Sequence, residues 1–327
     1  MSLFQHVKAQ WASDLKAGQN VETLFRVVEM NRRVKKDGSP FLTITLLDRT
    51  GKVEAKLWDG VAAAESAVKP GSIHTVSGTV KEYRGRLELH LQRIRALPEE
   101  NTGIDEKDFV EAAAFDVDNL FDGMIRFIGE RLTRGELRPL LEAFVDVHGR
   151  EFRRHYGAQK IHHARVGGLL QHTDSMVRLA ARVADHYHLD RDILILGALL
   201  HDLGKLREFT TEPALQATTE GGLLGHIVIS LEMFDDLCRR VADIPPEIRL
   251  HLRHLIVSHH GEREFGSPEV PRTLEAMALH AIDLLDSKLA IFMEASNQST
   301  ADRGFTDYVP AIARRVLIQA PLDREDE

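Results

Sequence analysis

Residues Leu194 to Phe209 read LILGALLHDLGKLREF. The run is apolar for nearly two turns, then meets His201 and Asp202, with Gly204 and Lys205 close behind. A helix that begins this way is expected to be buried. An imidazole beside a carboxylate is costly to bury unless something compensates both, and a metal ion would do so. Adjacent helical residues point about 100° apart, so His201 and Asp202 can serve different sides of a centre. Asp202 has two oxygens and can bridge two ions. Neutral imidazoles and carboxylates suit Mn, Fe, Co, Ni or Zn, with positions left open for water and substrate. Further residues of the same types follow in order along the chain: His172, His226, adjacent His259 and His260, and Asp283.

The elements that must position these residues are helices. From about Asp118 onward the periodicity is helical almost throughout. The segments include NLFDGMIRFIGERL, GGLLQHTDSMVRLAARVADHY, RDILILGALLHDLGK, GHIVISLEMFDDLCRRV and PRTLEAMALHAIDLLDSKLAIFMEA. Pro245-Pro246 and Pro271 stand at helix starts, where proline is tolerated. Of 17 histidines, 14 fall between His148 and His280, so a histidine site belongs to this part. His188, His251 and His280 read as packed or surface histidines, and Asp286 as an exposed helix carboxylate.

Residues 20–97 read differently. VETLFRVVEMNRRV, FLTITLLDRTG, KVEAKLWDG, SIHTVSGTVKEY and RLELHLQRIRAL are β-branched or alternating runs separated by turn signals. An Ala-rich stretch, Val61 to Val68, predicts a short helix between the third and fourth strands. Five strands with that one helix is the order of an OB-fold barrel. The expected fold is therefore multidomain: a small all-β OB-fold barrel (residues 1–97), a linker with leading helices (98–140), an all-α domain (141–300) and a C-terminal tail (301–327). The closing DREDE is expected to fray.

Bulk properties narrow the classes. The chain has 327 residues, of which 43% are hydrophobic and 28% charged, normal for a soluble protein. One cysteine, Cys238, excludes an intrachain disulfide and a Cys-rich zinc module. The N-terminal residues lack a signal-peptide apolar core, and no apolar run reaches about 18 residues, so a cytoplasmic location without membrane contact is expected. The net charge is −8, yet residues 1–97 hold 16 Lys and Arg against 10 Asp and Glu. A basic first part on an acidic protein hints at a polyanion partner.

The ordered set His172, His201-Asp202, His226, His259-His260 and Asp283 resembles the HD-domain superfamily of metal-dependent phosphohydrolases, over roughly Ala158 to Lys288. The resemblance implies that His172, His201, Asp202 and Asp283 hold one metal. It implies that His226 and either His259 or His260 complete a second site bridged by Asp202, with His254 a less favoured substitute. Lys205, in the HDxGK phrase, would face a substrate phosphate; the alternative is a helix C-terminal cation. Two divalent ions are expected, with manganese foremost.

Five phrases sharpen the resemblance: IHHARVGGLLQHT, LHDLGK, GGLLGHI, SHHGEREFGSP and LHAIDLLDSK. They look like the YhaM family of 3'-5' exoribonucleases, which also carries an OB-fold before its HD domain. Gln171 departs from that pattern, where Glu is common. The absence of GYP after SHHG argues against a cyclic-di-GMP phosphodiesterase, and no synthetase-like domain suggests an alarmone enzyme. The OB-fold argues against a di-iron oxygenase with similar ligands.

The resemblance implies a 3'-5' exonuclease acting on single-stranded RNA, and DNA as an open second substrate. A metal-held hydroxide would attack the terminal phosphodiester, Lys205 would neutralise a non-bridging oxygen, and nucleoside 5'-monophosphates would leave. His163 and Arg165 are candidates for substrate contact or for a structural role. On the barrel, Arg32, Arg33, Lys35, Lys36, Phe41, Trp58, Tyr83, Arg84 and Arg86 are candidate strand-binding residues. Phe41 and Trp58 could equally be barrel core. A homo-oligomer is left open. Two other classes stay in view: a nucleotide or cyclic-nucleotide phosphohydrolase with a regulatory OB-fold, and a nucleic-acid-binding protein whose metal is structural.

Overall fold

The computed structural model describes residues 8–83, 85–97, 104–109, 113, 115–157, 166–211, 216–241, 244–297 and 304–318, without the side chains of residues 86, 106 and 107. Arg84, His163 and Arg165, the Arg86 side chain and the DREDE tail lie outside the described residues. The chain divides into two compact units, with the change at residues 112 and 113.

In the first unit, strands β1 (Asn20–Val34), β2 (Pro40–Asp48), β3 (Gly51–Leu57), β4 (Ile73–Tyr83) and β5 (Arg86–Ala96) close a barrel in the order β1-β2-β3-β5-β4. Only β3 and β5 pair in parallel. Helix α1 (Val61–Ala67) lies between β3 and β4 in the chain, as the Ala-rich stretch predicts. Alternation along each strand sends one face inward. Leu42, Ile44 and Leu46 on β2 thus meet Val53, Ala55 and Leu57 on β3, with Phe25, Val76, Val80 and Leu89 around them. This is the OB-fold that the strand order predicts.

The second unit contains α2 (Val117–Arg131), α3 (Arg138–Phe152), α4 (Gly168–Tyr187), α5 (Arg191–Leu200), α6 (Lys205–Glu208), α7 (Thr219–Arg240), α8 (Pro246–Ser258) and α9 (Leu274–Asn297). A two-residue pair, β6 (Phe209–Thr210) with β7 (Gln216–Ala217), lies between α6 and α7. Helix α5 is buried on every side from Asp192 to Leu200, and packs against α4, α8 and α9. A helix apolar all round can exist only in such a place. Phe121 of α2 and Phe144 of α3 share one apolar cluster with Leu170, Ile195, Phe234, Leu255 and Leu279. The leading helices are thus part of this core, and α3 runs through position 141.

Residues 304–318 are more than a tail. Strands β8 (Gly304–Phe305) and β9 (Leu317–Ile318) pair, and Ile312 and Val316 pack with Ile291 of α9. No described helix is long and apolar enough to cross a membrane.

Candidate metal centre

The predicted helix Arg191–Lys205 stops at Leu200, and His201 to Gly204 form the turns that lead into α6. Because α5 is central, this turn lies deep: His201 is 0% exposed and Asp202 4%. Gly204 brings the turn against α7. A Cβ there would sit 2.1 Å from the His226 carbonyl oxygen and 2.5 Å from Ser230 N. The Gly204 N–H donates to Ser230 Oγ at 2.7 Å. The glycine of HDLGK therefore sets how closely His226 approaches Asp202.

Four other helices complete the centre. His172 comes from α4, His226 from α7, His259 and His260 from the end of α8, and Asp283 from α9. His172, His201 and Asp283 offer ligand atoms all within 4.8 Å of one another, and so do His226, His259 and His260. Asp202 stands between the groups. Its Oδ2 is 3.3 Å from His201 Nε2 and 3.8 Å from His172 Nε2. Its Oδ1 is 3.4 Å from His226 Nε2 and 3.9 Å from His259 Nε2. Both His259 and His260, left as alternatives by the sequence, lie in the second group.

Every imidazole is held by its outer nitrogen. The Nδ1 atoms of His201, His259 and His260 lie 2.9, 2.7 and 2.9 Å from the carbonyl oxygens of Ala198, Ile256 and Phe265. His172 Nδ1 is 2.7 Å from Asp286 Oδ2, and His226 Nδ1 is 3.3 Å from Glu208 Oε1. All five partners accept, so each Nδ1–H donates and each Nε2 turns its lone pair inward in the neutral ring. The buried His226 Nε2 and His259 Nε2 have no hydrogen-bond partner among the described residues. The Nε2 atoms of His172 and His201 face each other at 3.3 Å. Lone pairs so arranged repel unless a proton or a metal stands between them.

The electrostatics agree. Burial opposes a charge on His172, but Asp283 and Asp286 outweigh it and raise its pKa to about 9. Burial, reinforced by His201, holds His259 well below its ordinary value. Burial works against the charge of Asp202, yet Lys205 and His201 hold it ionised. The two carboxylates beside His172 thus favour its charged form, and burial favours the neutral form of His259. Five inward Nε2 atoms and two carboxylates fit divalent ions of the imidazole-binding kind.

Lys205 opens α6 rather than closing a helix, and its Nζ lies 2.7 Å from Asp202 Oδ2. Asp286 corrects the sequence reading: it is not a solvent-facing carboxylate. It is partly buried and holds both His172 and the Ser175 hydroxyl. The signal was available, since Asp283 and Asp286 are three apart and share one helix face. Glu208 was missed, and nothing in LREF marked it. His254 lies elsewhere, with Nε2 accepting from Arg272 N at 2.9 Å, and His251 turns to Thr273 and Glu275. His280 has Nδ1 2.9 Å from the His259 carbonyl oxygen, and so braces the backbone that carries that imidazole.

On the barrel, neither Phe41 nor Trp58 is in the core. Their rings stack on its outer face with centroids 4.6 Å apart and 21° between planes. Trp58 Nε1 donates to His90 Nδ1 at 3.4 Å. Lys35 Nζ lies 5.4 Å from the Trp58 ring, and Arg33 stands directly across from Phe41. Exposed Tyr83 has Lys56 Nζ 5.3 Å from its ring. Lys36 is exposed in the β1–β2 turn. Arg32 belongs elsewhere: it pairs with Glu65 of α1 at 3.2 Å.

Comparison with known proteins places these features. Residues 169–288 match the family model described as "HD domain", and residues 26–97 match "OB-fold nucleic acid binding domain". The chain is 38% identical over 300 residues to the 3'-5' exoribonuclease YhaM of Bacillus subtilis (strain 168), spanning 91% of this chain and 94% of that one. It is 34% identical over 299 residues to the protein of the same name from Bacillus pumilus (strain SAFR-032), with the same coverage. Among solved structures, the second OB-fold domain of replication protein A from Methanococcus maripaludis aligns with 29% of this chain and 98% of its own, at 26% identity and a TM-score of 0.23.

Proposed function

The chain belongs to the YhaM family of 3'-5' exoribonucleases, and we propose that it shortens single-stranded RNA from the 3' end with Asp202 at the heart of its cutting centre. It is an HD-type hydrolase, a metal-dependent 3'-5' exonuclease with an OB-fold that binds single-stranded nucleic acid. We assign cutting to the helical unit and strand holding to the barrel. A cytoplasmic setting, with RNA as the working substrate and DNA as a second, completes the proposal.

One observation carries the reading: the two oxygens of Asp202 face separate groups of imidazoles. His172, His201 and Asp283 would hold one divalent ion, and His226, His259 and His260 the other, with Asp202 between. Manganese is the expected metal. Such ions supply a water of lowered pKa and neutralise charge that develops on the phosphate. The chain's own groups do the rest. The anchored Nδ1 atoms fix each ring, so the ligand atoms need not reorganise during the reaction. Burial works against a charged Lys205, but Asp202 outweighs it and keeps the ammonium charged beside the centre. That charge is available to a non-bridging phosphate oxygen. The Phe41–Trp58 stack offers π-faces to upstream bases without a sequence code. The expected products are nucleoside 5'-monophosphates.

A 5'-labelled single-stranded RNA and a matched DNA, incubated with Mn²⁺, test this directly. Wild type should give a ladder shortening from the 3' end, and Asp202→Ala should give none. Intact strands with metal-loaded wild type would overturn the assignment and redirect attention to mononucleotides and cyclic dinucleotides.

A further inference from the structure

Three large apolar side chains stand exposed on the two segments that carry the second ligand group. Leu223 is 79% exposed and Leu224 45%, just before His226; Phe265 is 63% exposed, five residues after His260. None of them belongs to the helical unit's apolar cluster. Single exposed apolar residues are ordinary on any protein. Here both flanks of one buried polar centre present them, and both flanks are tied to its ligands.

The first flank is set by a break in α7. Gly225 has φ 70° and ψ 159°, a conformation that is essentially glycine's alone. It turns the opening residues of α7 away from the helix that carries His226. Thr218 caps that opening turn by accepting from Gly221 N at 2.8 Å. Glu208 accepts from both the backbone N–H and Nδ1 of His226, so the break and the ligand are fixed by one carboxylate. On the second flank, the Phe265 carbonyl is the group that holds His260 Nδ1, at 2.9 Å. The His226 and His260 rings themselves lie 5.1 Å apart, centroid to centroid. The leucine turn and the phenylalanine loop therefore border the same pair of imidazoles.

A cluster of imidazoles and carboxylates has groups for a phosphate and for metal, and none for a nucleobase. An exonuclease must accept every base at its 3' end. An apolar rim meets that need, because each base has a π-face and stacking carries no hydrogen-bond code. We infer that Leu223, Leu224 and Phe265 form an apolar rim that holds the 3'-terminal nucleobase, without regard to its identity, while its phosphodiester lies at the centre. This inference rests on the exonuclease reading above.

The test uses the full chain loaded with Mn²⁺ and two 5'-labelled RNAs that differ only in a normal or an abasic 3'-terminal nucleotide. Compared are wild type, Phe265→Ala and the double variant Leu223→Ala with Leu224→Ala. Bound metal and melting temperature are measured for each. On the normal end, each variant should lose about tenfold in kcat/KM, mostly through KM, for all four bases alike. On the abasic end, wild type should already be reduced, and the variants should lose nothing further. Metal content and melting temperature should match wild type. Variants that cut the normal end like wild type, or that lose equally on both ends, overturn the rim. A loss confined to one base would overturn its indifference. Wild type that leaves both RNAs intact sinks the exonuclease reading itself, an outcome distinct from either.

Discussion

At the metal centre each imidazole is held by Nδ1 on protein and presents Nε2 to the interior, with His201 and His259 fully buried. On the barrel, Phe41 and Trp58 share a ring stack in partial solvent, and two other cations of the barrel are paired with carboxylates. Lys56 pairs with Glu88 at 2.7 Å as well as lying over Tyr83, and Arg32 is turned to Glu65. The contrast reflects what burial demands. A buried polar group must be satisfied or it destabilises the fold, so the centre is over-determined. An exposed stack meets no such demand and tolerates change. Losses at the first region should therefore reach stability and metal binding, whereas losses at the second should reach affinity alone.

Metal removal should give the largest separation. A ligand that binds only the folded state stabilises it by about 2.7 kcal/mol at a hundredfold excess over Kd. Stripping with EDTA should abolish cutting and speed amide exchange around His172, His201, His226 and His259. Exchange in β2 and β3 should stay unchanged. Equal loosening of the barrel strands would break the contrast.

Asp286→Asn tests whether the outer carboxylate matters. Asp286 lies 2.7 Å from His172 Nδ1 and does not face the centre. Replacing such a partner weakens metal binding by about 10–100-fold. Titration with Mn²⁺ should show that loss, and saturating metal should restore most of the activity. Unchanged affinity would mean that the packing of α4 fixes His172 well enough without it.

Asp286 also marks where sequence reading stops. The order His, His-Asp, His, His-His, Asp announced which side chains the fold brings together, because metal chemistry restricts the residue types, and the strand order announced the barrel. The outer partners obey no such restriction. Three backbone carbonyls do the same work as Asp286 and Glu208, and a carbonyl leaves no mark in the sequence. Phe41 and Trp58 are a different case. Leu42, Ile44 and Leu46 occupy the inward positions of β2, so strict alternation already placed Phe41 outside. The helix read as GHIVISLEMFDDLCRRV begins at Gly225, where the backbone does break, but the helical turn from Thr219 to Leu224 ahead of the break left no apolar period to read.

Trp58→Ala takes the contrast to the barrel. The variant loses the stack on Phe41 and the donor to His90, both on the outer face. Single-strand affinity should fall by about 1–3 kcal/mol, measured by fluorescence anisotropy at fixed salt. Melting temperature and bound metal should match wild type. A large loss of stability would show that the stack serves the barrel instead.

Arg33→Ala should have the smallest effect and separates charge from stacking. Arg33 stands across from Phe41 on the same outer face, so it can meet a phosphate beside a stacked base. Each phosphate contact releases counterions, and the logarithm of affinity falls with the logarithm of salt in proportion to their number. Loss of one such contact should reduce that slope by about 1 and weaken binding evenly across sequences. Trp58→Ala should leave the slope intact, because stacking releases no counterions. If both variants changed affinity and neither changed the slope, the phosphates would have to be met by other cations. Lys36, exposed in the β1–β2 turn, would then be the next residue to replace.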